Sequence, residues 1–272
     1  KDRPVLVGPH CPHDVLTECA REKSAGRYYT PSLVHNSLQD FENTSKQAKE
    51  SSNDDPADYD KENQEIAKAA LVLLEQSHPQ FFGKDLTSDE IEQFTSIRPP
   101  CRFETLEKEG TTVILDVAHN PSAMEYLVYK LKTTYPDRPF RFVAGMSSDK
   151  DLGQCARSLL STTQESSRNI HLVQAAHPRA ASLEHILEAE STLEKAAHYD
   201  FDDRSITKQV LNALELSKEN EGEILVVCGS VFLMAETREA LGIDEPRDSD
   251  YIIEMAGAGI RHTQENFGNT KM

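Results

Sequence analysis

The chain has 272 residues, a formal net charge of −17 and only 38% hydrophobic residues. That length allows one large or two ordinary domains, and the low apolar share predicts a long polar segment beside the packed cores. The acidity, with no basic stripe, argues against a nucleic-acid partner, and no apolar run approaches the ~18 residues of a membrane helix. Five cysteines, an odd number with no CxxC spacing, favour neither zinc nor a disulfide framework and fit a reducing compartment. The start, KDRPVLVG, has no initiator Met and no apolar leader, so it is expected to be an internal start within a longer protein.

In chain order, Arg3 to Gly8 predicts a short buried strand and Pro12 to Ala20 a helix. Gln39 to Asp60 is rich in Ser, Asn, Asp, Glu and Lys and cannot bury enough surface to offset its ordering entropy, so it is expected to be a flexible insertion. Lys61 to Leu74 predicts a helix with Ile66, Ala69, Ala70 and Leu73 as its apolar stripe. Thr87 to Phe94 predicts another, with Ser88 as N-cap. Consecutive prolines after Ile97 resist both helix and sheet, and the domain boundary is expected there.

Beyond the boundary, strands and helices alternate. Phe103 to Leu106 and Thr111 to Leu115 are expected to form a hairpin around Glu109-Gly110. Asn120 and Pro121 read as N-cap and first helical residue, and Met124, Leu127, Val128 and Leu131 make a helical stripe. Strands are expected at Phe140–Ala144, Ile170–Val173, His198–Phe201 and Ile224–Cys228. Helices are expected from Asp151 (Leu152, Cys155, Ala156, Leu159 on one face), after Ser182 (Leu183, Ile186, Leu187), through Ile206, Val210, Ala213 and Leu214, and over Val231–Leu241. This is an α/β pattern with a mainly parallel, Rossmann-like sheet flanked by helices. The tail from Asp244 is polar and expected to be loose apart from Tyr251 to Met255, and Gly257-Ala258-Gly259 lacks the third glycine of GxGxxG.

Several side chains could carry chemistry. Asp116 and His119 stand at the carboxyl end of a strand beside a helix start, where open α/β sheets bind ligands and free N–H groups suit an anion. Asp116 is placed to accept from a hydroxyl, and His119 to donate to phosphate or polarise a carboxylate. Arg102 offers a permanent planar donor fork, or else a surface ion pair with Glu104. Asp149 reads first as a helix N-cap in Gly145…Asp149-Lys150-Asp151. Arg179 either meets an anionic substrate or holds its loop. Ser230, after Gly229, either caps the following helix or touches a substrate. Asn63 is either a water-facing first-turn residue or a ligand contact. No GxxxxGK[ST] phosphate loop and no acidic-plus-His set with metal spacing occurs.

Asp116-Val117-Ala118-His119-Asn120-Pro121, with Pro100-Cys101-Arg102-Phe103-Glu104 upstream, resembles the folylpolyglutamate synthase and dihydrofolate synthase family, relatives of the Mur peptide ligases. Cys101 stands where the family usually has glycine. The DKD segment, His177-Pro178-Arg179-Ala180 and Gly229-Ser230 add to the likeness, and KDRPVLVG resembles the end of the family's ATPase domain. The resemblance implies that residues 1–97 are the C-terminal part of a P-loop-type ATPase domain with an insertion at 39–60, 98–243 a Mur-ligase-type C-terminal domain, and 244–272 a tail. It implies an ATP-dependent ligase joining L-glutamate to dihydropteroate or folate through an acyl phosphate. In it Asn63, Arg102 and Asp116 bind ATP, His119 is catalytic in the active cleft, Arg179 meets an anionic substrate and Ser230 the incoming glutamate. Mg²⁺ ligands and the phosphate loop are expected upstream of Lys1, so the chain alone is expected to be inactive. A cytoplasmic monomer is expected, with the mitochondrion as the other location. The rival readings are a non-catalytic module that binds nucleotide or folate or serves as a subunit for a separate ATPase chain, and a fragment of a Mur-type peptide ligase.

Overall fold

The computed structural model describes residues 3–38, 59–163 and 168–243. Of the insertion expected at 39–60, residues 39–58 lie outside the described residues, as do the tail from 244, Tyr251 to Met255 and the Gly257-Ala258-Gly259 turn, whereas Tyr59 and Asp60 are helical. The chain divides into two compact units, Lys1–Arg98 and Pro99–Met272.

In the first unit β1 (Val5–Leu6) pairs in parallel with β2 (Tyr28–Tyr29), and α1 (His13–Glu22) lies between them in sequence. The first strand is shorter and less buried than expected; Val7 just beyond it is the buried residue. α2 (Pro31–Leu38) and α3 (Tyr59–Ser77) follow, and a small core joins Val34 to Ala69, Val72 and Leu73, with Leu6, Tyr29 and Ile91 packed against it. Val72 replaces Ala70 in the expected stripe: Ala70 faces solvent, because the helix turns its larger side chain inward. α4 (Ser88–Thr95) is capped by Thr87 rather than by Ser88. The Thr87 hydroxyl accepts from Glu90 N while Glu90 reaches back to Thr87 N, a reciprocal box that Ser88 has no partner to make.

The second unit is built on a six-stranded sheet. Its strands are β3 (Glu104–Lys108), β4 (Thr111–Leu115), β5 (Phe140–Ala144), β6 (Ile170–Leu172), β7 (Ala197–His198) and β8 (Ile224–Cys228), in the spatial order β3-β4-β8-β5-β6-β7. β3 pairs antiparallel to β4 as a hairpin, and every other neighbour pair is parallel. The strand expected at His198–Phe201 is instead Ala197–His198, with Phe201 turned outward to solvent.

Residues alternate between two faces along each strand, as a pleated sheet covered on both sides requires. Ile114, Phe142, Ala144, Leu172 and Val226 pack under α5 (Pro121–Thr134), α6 (Leu152–Leu160), α7 (Leu183–Ala189) and α8 (Leu193–Ala196). Val113, Leu115, Val143, Leu225 and Val227 pack under α9 (Ile206–Glu219) and α10 (Met234–Ala240). The expected stripes of α5, α6, α7 and α9 are the buried ones. The helix expected over Val231–Leu241 opens instead as a 3₁₀ turn, Val231–Leu233, before α10. The N-cap of α6 is Asp151, whose carboxylate accepts from Gln154 N at 2.9 Å. Asp149, read from sequence as the cap, lies too early and is taken by other partners.

β8 comes last in sequence but lies between β4 and β5. The segment leaving β4 turns to the α5 face and the segment leaving β8 to the α10 face, so their carboxyl ends border a crevice, the usual ligand position in such sheets. Two glycines close the neighbouring edge. A Cβ at Gly229 (φ +102°) would stand 2.2 Å from the carbonyl oxygen of Gly145, and one at Gly145 would stand 2.7 Å from that of Val173. At the amino end of the strands the α9 face is polar: Arg141 Nε donates to buried Glu223 at 2.9 Å, and fully buried His171 shares a hydrogen bond with Gln209 at 3.1 Å and stacks on His198.

Gly229→Ala is expected to destabilise the chain by roughly 2–4 kcal/mol, through the backbone clash and the left-handed strain together. A urea midpoint moved by less than the equivalent of ~1 kcal/mol would contradict the contact. Burial, with the charges of His198 and Arg141 behind it, pushes His171 from 6.5 down to about 4 against the pull of Gln209. The unfolded chain therefore takes up this proton first, and stability is lost as pH falls from 6.5 towards 4, by up to about 3 kcal/mol. His171→Asn should flatten that loss in urea midpoints measured at about pH 7 and about pH 4.5; an unchanged loss would acquit His171.

Candidate functional site

The site is assembled at the carboxyl end of β4. Asp116 is the residue after the strand, its N–H still donating to the carbonyl of Val227 on β8 at 3.0 Å. Its carboxylate faces back over the strand end. Oδ1 accepts from Ala118 N at 2.7 Å and Oδ2 from Phe103 N at 2.8 Å. Burial raises its pKa above the usual carboxylate value, and the two backbone donors and the charges of Arg102 and Lys130 work against that rise. Each oxygen keeps lone-pair capacity for a further donor.

Phe103 N belongs to the turn that carries Arg102. Cys101 and Phe103 both adopt left-handed backbone, at φ 61° and 50°. The turn expected of a glycine is therefore made by cysteine, at a cost of about 1–2 kcal/mol for each such residue. Cys101 is buried, its carbonyl accepts from Val117 N at 3.0 Å, and its N–H donates to Glu104 Oε2 at 2.8 Å. Arg102 stands exposed between them. The alternative reading, an Arg102–Glu104 ion pair, is overturned: Glu104 is taken by Arg238 of α10, whose guanidinium also approaches Cys101 Sγ at 3.8 Å. The ammonium of Lys130 lies 4.5 Å from the centre of the Phe103 ring.

His119 follows on the loop, exposed, with Nδ1 hydrogen-bonded to the carbonyl of Val117 at 3.0 Å. In the neutral ring that bond puts the proton on Nδ1 and leaves Nε2 as an outward acceptor. Asn120 caps α5 through Oδ1, which accepts from Ala123 N at 2.9 Å, and Pro121 takes the first helical position. Arg102, Asp116 and His119 thus share one strand end and one helix start.

Arg179 and Ser230 belong to the adjoining loops. The loop after β6 is bridged to the loop after β5: Ser147 pairs with Ala180, Ser148 N donates to the Arg179 carbonyl at 2.8 Å, and Ala181 N to that of Met146 at 2.8 Å. Arg179 itself reaches Asp149 Oδ2 at 2.9 Å, so it holds its loop and remains largely exposed. His177 stacks on Phe232 with ring centres 3.5 Å apart, tying this loop to the turn after β8. Ser230 is buried and caps that turn, Oγ accepting from Phe232 N at 3.2 Å, with its own O–H still available. Asn63 is exposed near the start of α3, in the other unit.

A cavity of about 900 Å³ lies at the carboxyl ends of β6 and β7, lined in part by Gln174, His177, Arg204, Ser205 and Glu236. None of the six residues singled out from sequence lines it. Burial, with Glu239 behind it, pushes the Glu236 carboxyl above its usual range. Sequence reading missed Glu236 and Arg204, which sit in no motif, and it missed Arg238 and Lys130 as partners of the strand end. Glu104 was in view within the quoted segment, but nothing local announced its partner on a helix more than a hundred residues away. Among the described residues no group of three or more His, Cys, Asp or Glu is placed to hold a metal ion, and no helix is long and apolar enough to cross a membrane.

The family model described as Mur ligase, glutamate ligase domain, matches residues 101–231. The dihydrofolate synthase/folylpolyglutamate synthase of Escherichia coli K12 is 30% identical over 142 residues, 52% of this chain and 30% of that protein. Among solved structures, a folylpolyglutamate synthase from Thermotoga maritima matches 91% of this chain and 56% of its own at 25% identity, with a TM-score of 0.54. A bifunctional folylpolyglutamate synthase/dihydrofolate synthase from Yersinia pestis, solved with AMPPNP and a Mn ion, shares the fold at 23% identity and a TM-score of 0.57, over 88% of this chain and 53% of that one. The chain thus spans less than a third of the curated relative and little more than half of these solved chains. Residues 101–231 are thus similar to the glutamate ligase domain of the Mur ligases, and the curated relative that matches about half of the chain is a dihydrofolate synthase/folylpolyglutamate synthase.

Proposed function

We propose that this chain is the C-terminal portion of an ATP-dependent amide ligase that adds L-glutamate to dihydropteroate or to a reduced folate. The observation that carries the reading is the left-handed turn docked on Asp116, which sets a permanently charged arginine beside the helix start at the end of β4. In the proposed reaction a carboxylate oxygen of the pterin substrate attacks the γ-phosphorus of ATP, and the bond to ADP breaks. The amine of glutamate then attacks the acyl carbon and phosphate leaves with the bonding electron pair. Little covalent work falls to this unit; its part is placement and charge.

The roles follow from the geometry. Arg102 spreads its donor fork over phosphate oxygens, and Asp116 accepts from a ribose hydroxyl with the lone pairs its backbone donors leave. His119 is assigned a catalytic place in the cleft, with Nε2 as the ring nitrogen that the bond to Val117 leaves free. The Ser230 hydroxyl and Arg179 are assigned to the carboxylates of glutamate; Arg179 exchanges Asp149 for the substrate to do so. Asn63 is assigned to the nucleotide on the resemblance of its helix alone. Mg²⁺ is assigned to residues outside those described, together with the phosphate loop that the 272 residues lack. The relative from Yersinia pestis, solved with AMPPNP and a Mn ion, supports a nucleotide and a divalent ion for the family. The protein is assigned to the cytoplasm as a monomer.

Labelled-glutamate incorporation into dihydropteroate and into tetrahydrofolate tests this reading. The 272-residue chain by itself is expected to give no product, and turnover by it would end the assignment of the phosphate loop to residues outside it. In the longer native protein, Arg102→Ala is expected to lower kcat/KM by about 100-fold, the scale of a lost charge contact in a transition state. A variant as fast as the native protein would remove Arg102 from the machinery.

A further inference from the structure

The turn that carries Arg102 is held from two sides, and only one of them is the strand end. Asp116 fixes the Phe103 side. The Cys101 side is fixed by Glu104, which accepts its N–H at 2.8 Å, and Glu104 in turn is gripped by Arg238. Both members of the pair are largely withdrawn from water, at 24% and 11% side-chain exposure. Arg238 is carried on α10, whose Met234 and Thr237 are buried. Two non-glycine residues in left-handed backbone persist only where the surroundings over-determine them, and such strain gathers at functional positions. Here the strained pair brackets the one exposed side chain of the turn.

We infer that the Glu104–Arg238 pair is a positioning device that presents Arg102 to the phosphate groups of a bound nucleotide, an inference that rests on the reading of Arg102 given above. Without the pair, Cys101 N loses its acceptor and its backbone relaxes from the left-handed region. The Cα–Cβ direction of Arg102 then swings, and the guanidinium fork no longer arrives at a fixed place. A half-buried, hydrogen-bonded ion pair suits this task, because removing either partner leaves the other largely withdrawn from water and uncompensated. Neither Glu104 nor Arg238 touches the nucleotide itself; they act through the turn.

A double-mutant cycle on the 272-residue chain tests the coupling, with ATP at millimolar concentration as the probe and saturation-transfer NMR as the readout. The unchanged chain, Arg102→Ala, Arg238→Met and the double variant are compared, with a thermal melt of each and amide exchange at Phe103. Arg238→Met is expected to weaken ATP binding about five- to tenfold, to speed exchange at Phe103, and to add nothing once Arg102 is gone. A simple structural role would shift the melt and lower affinity equally in both backgrounds, and that result overturns the inference. Should Arg238→Met fail to fold, Glu104→Gln keeps the acceptor for Cys101 and removes only the charge; the same non-additivity with Arg102→Ala is then required. If Arg102→Ala binds ATP like the unchanged chain, the earlier reading of Arg102 falls and this one falls with it. A weak Arg102→Ala without coupling removes the positioning role alone.

Discussion

The carboxylate of Asp116 joins three pieces of chain that would otherwise be independent. One oxygen takes the N–H of Phe103 and the other that of Ala118, so the turn before the hairpin and the loop after β4 are pinned to one strand end. Burial makes the charged form expensive, and the two N–H donors and nearby cations offset only part of the penalty. Everything proposed for Arg102 and His119 depends on that arrangement, since both are exposed side chains whose placement comes from the backbone beneath them.

The two ends of the sheet solve the burial of polar groups differently. At the amino end, Arg141, Glu223, His171 and Gln209 satisfy one another inside a closed network under α9. At the carboxyl end, polar groups hold loops to each other and leave part of their capacity turned outward, as Asp116, His119 and Ser230 do. The first arrangement holds the starts of β5 and β6 to α9 and to the segment before β8. The second has loops already ordered by the Gly145–Gly229 approach, the Ser147–Ala180 bridge and the His177–Phe232 stack. A ligand docking there meets groups whose ordering cost has been met by the fold, which is the condition for tight placement.

Much of this was legible in the residues because the signals were local. Asn120-Pro121 announced a cap, the Met124–Leu131 spacing a buried helix face, and the apolar runs at 113–115 and 224–228 strands covered on both faces. The errors were also local in kind. Thr87 beat Ser88 because capping needs the Glu90 partner three residues on, and Asp151 beat Asp149 because Arg179 and Lys150 claimed the latter. What sequence could not yield was any pairing between distant elements. Arg238 with Glu104, His177 with Phe232, and His171 with Gln209 leave no trace in spacing, since the fold alone brings them together.

The position of β8 carries a consequence for how the protein is made. This central strand is the last of the sheet to be synthesised, yet it separates β4 from β5. Until residues 224–228 emerge, each of those strands shows an unpaired, apolar edge to its surroundings. Such edges invite foreign strands, and pairing across a hundred residues of chain is slow. The nascent domain is therefore most exposed to misassociation just before it is complete, and a message cut short ahead of β8 yields a product that is sticky rather than merely inactive.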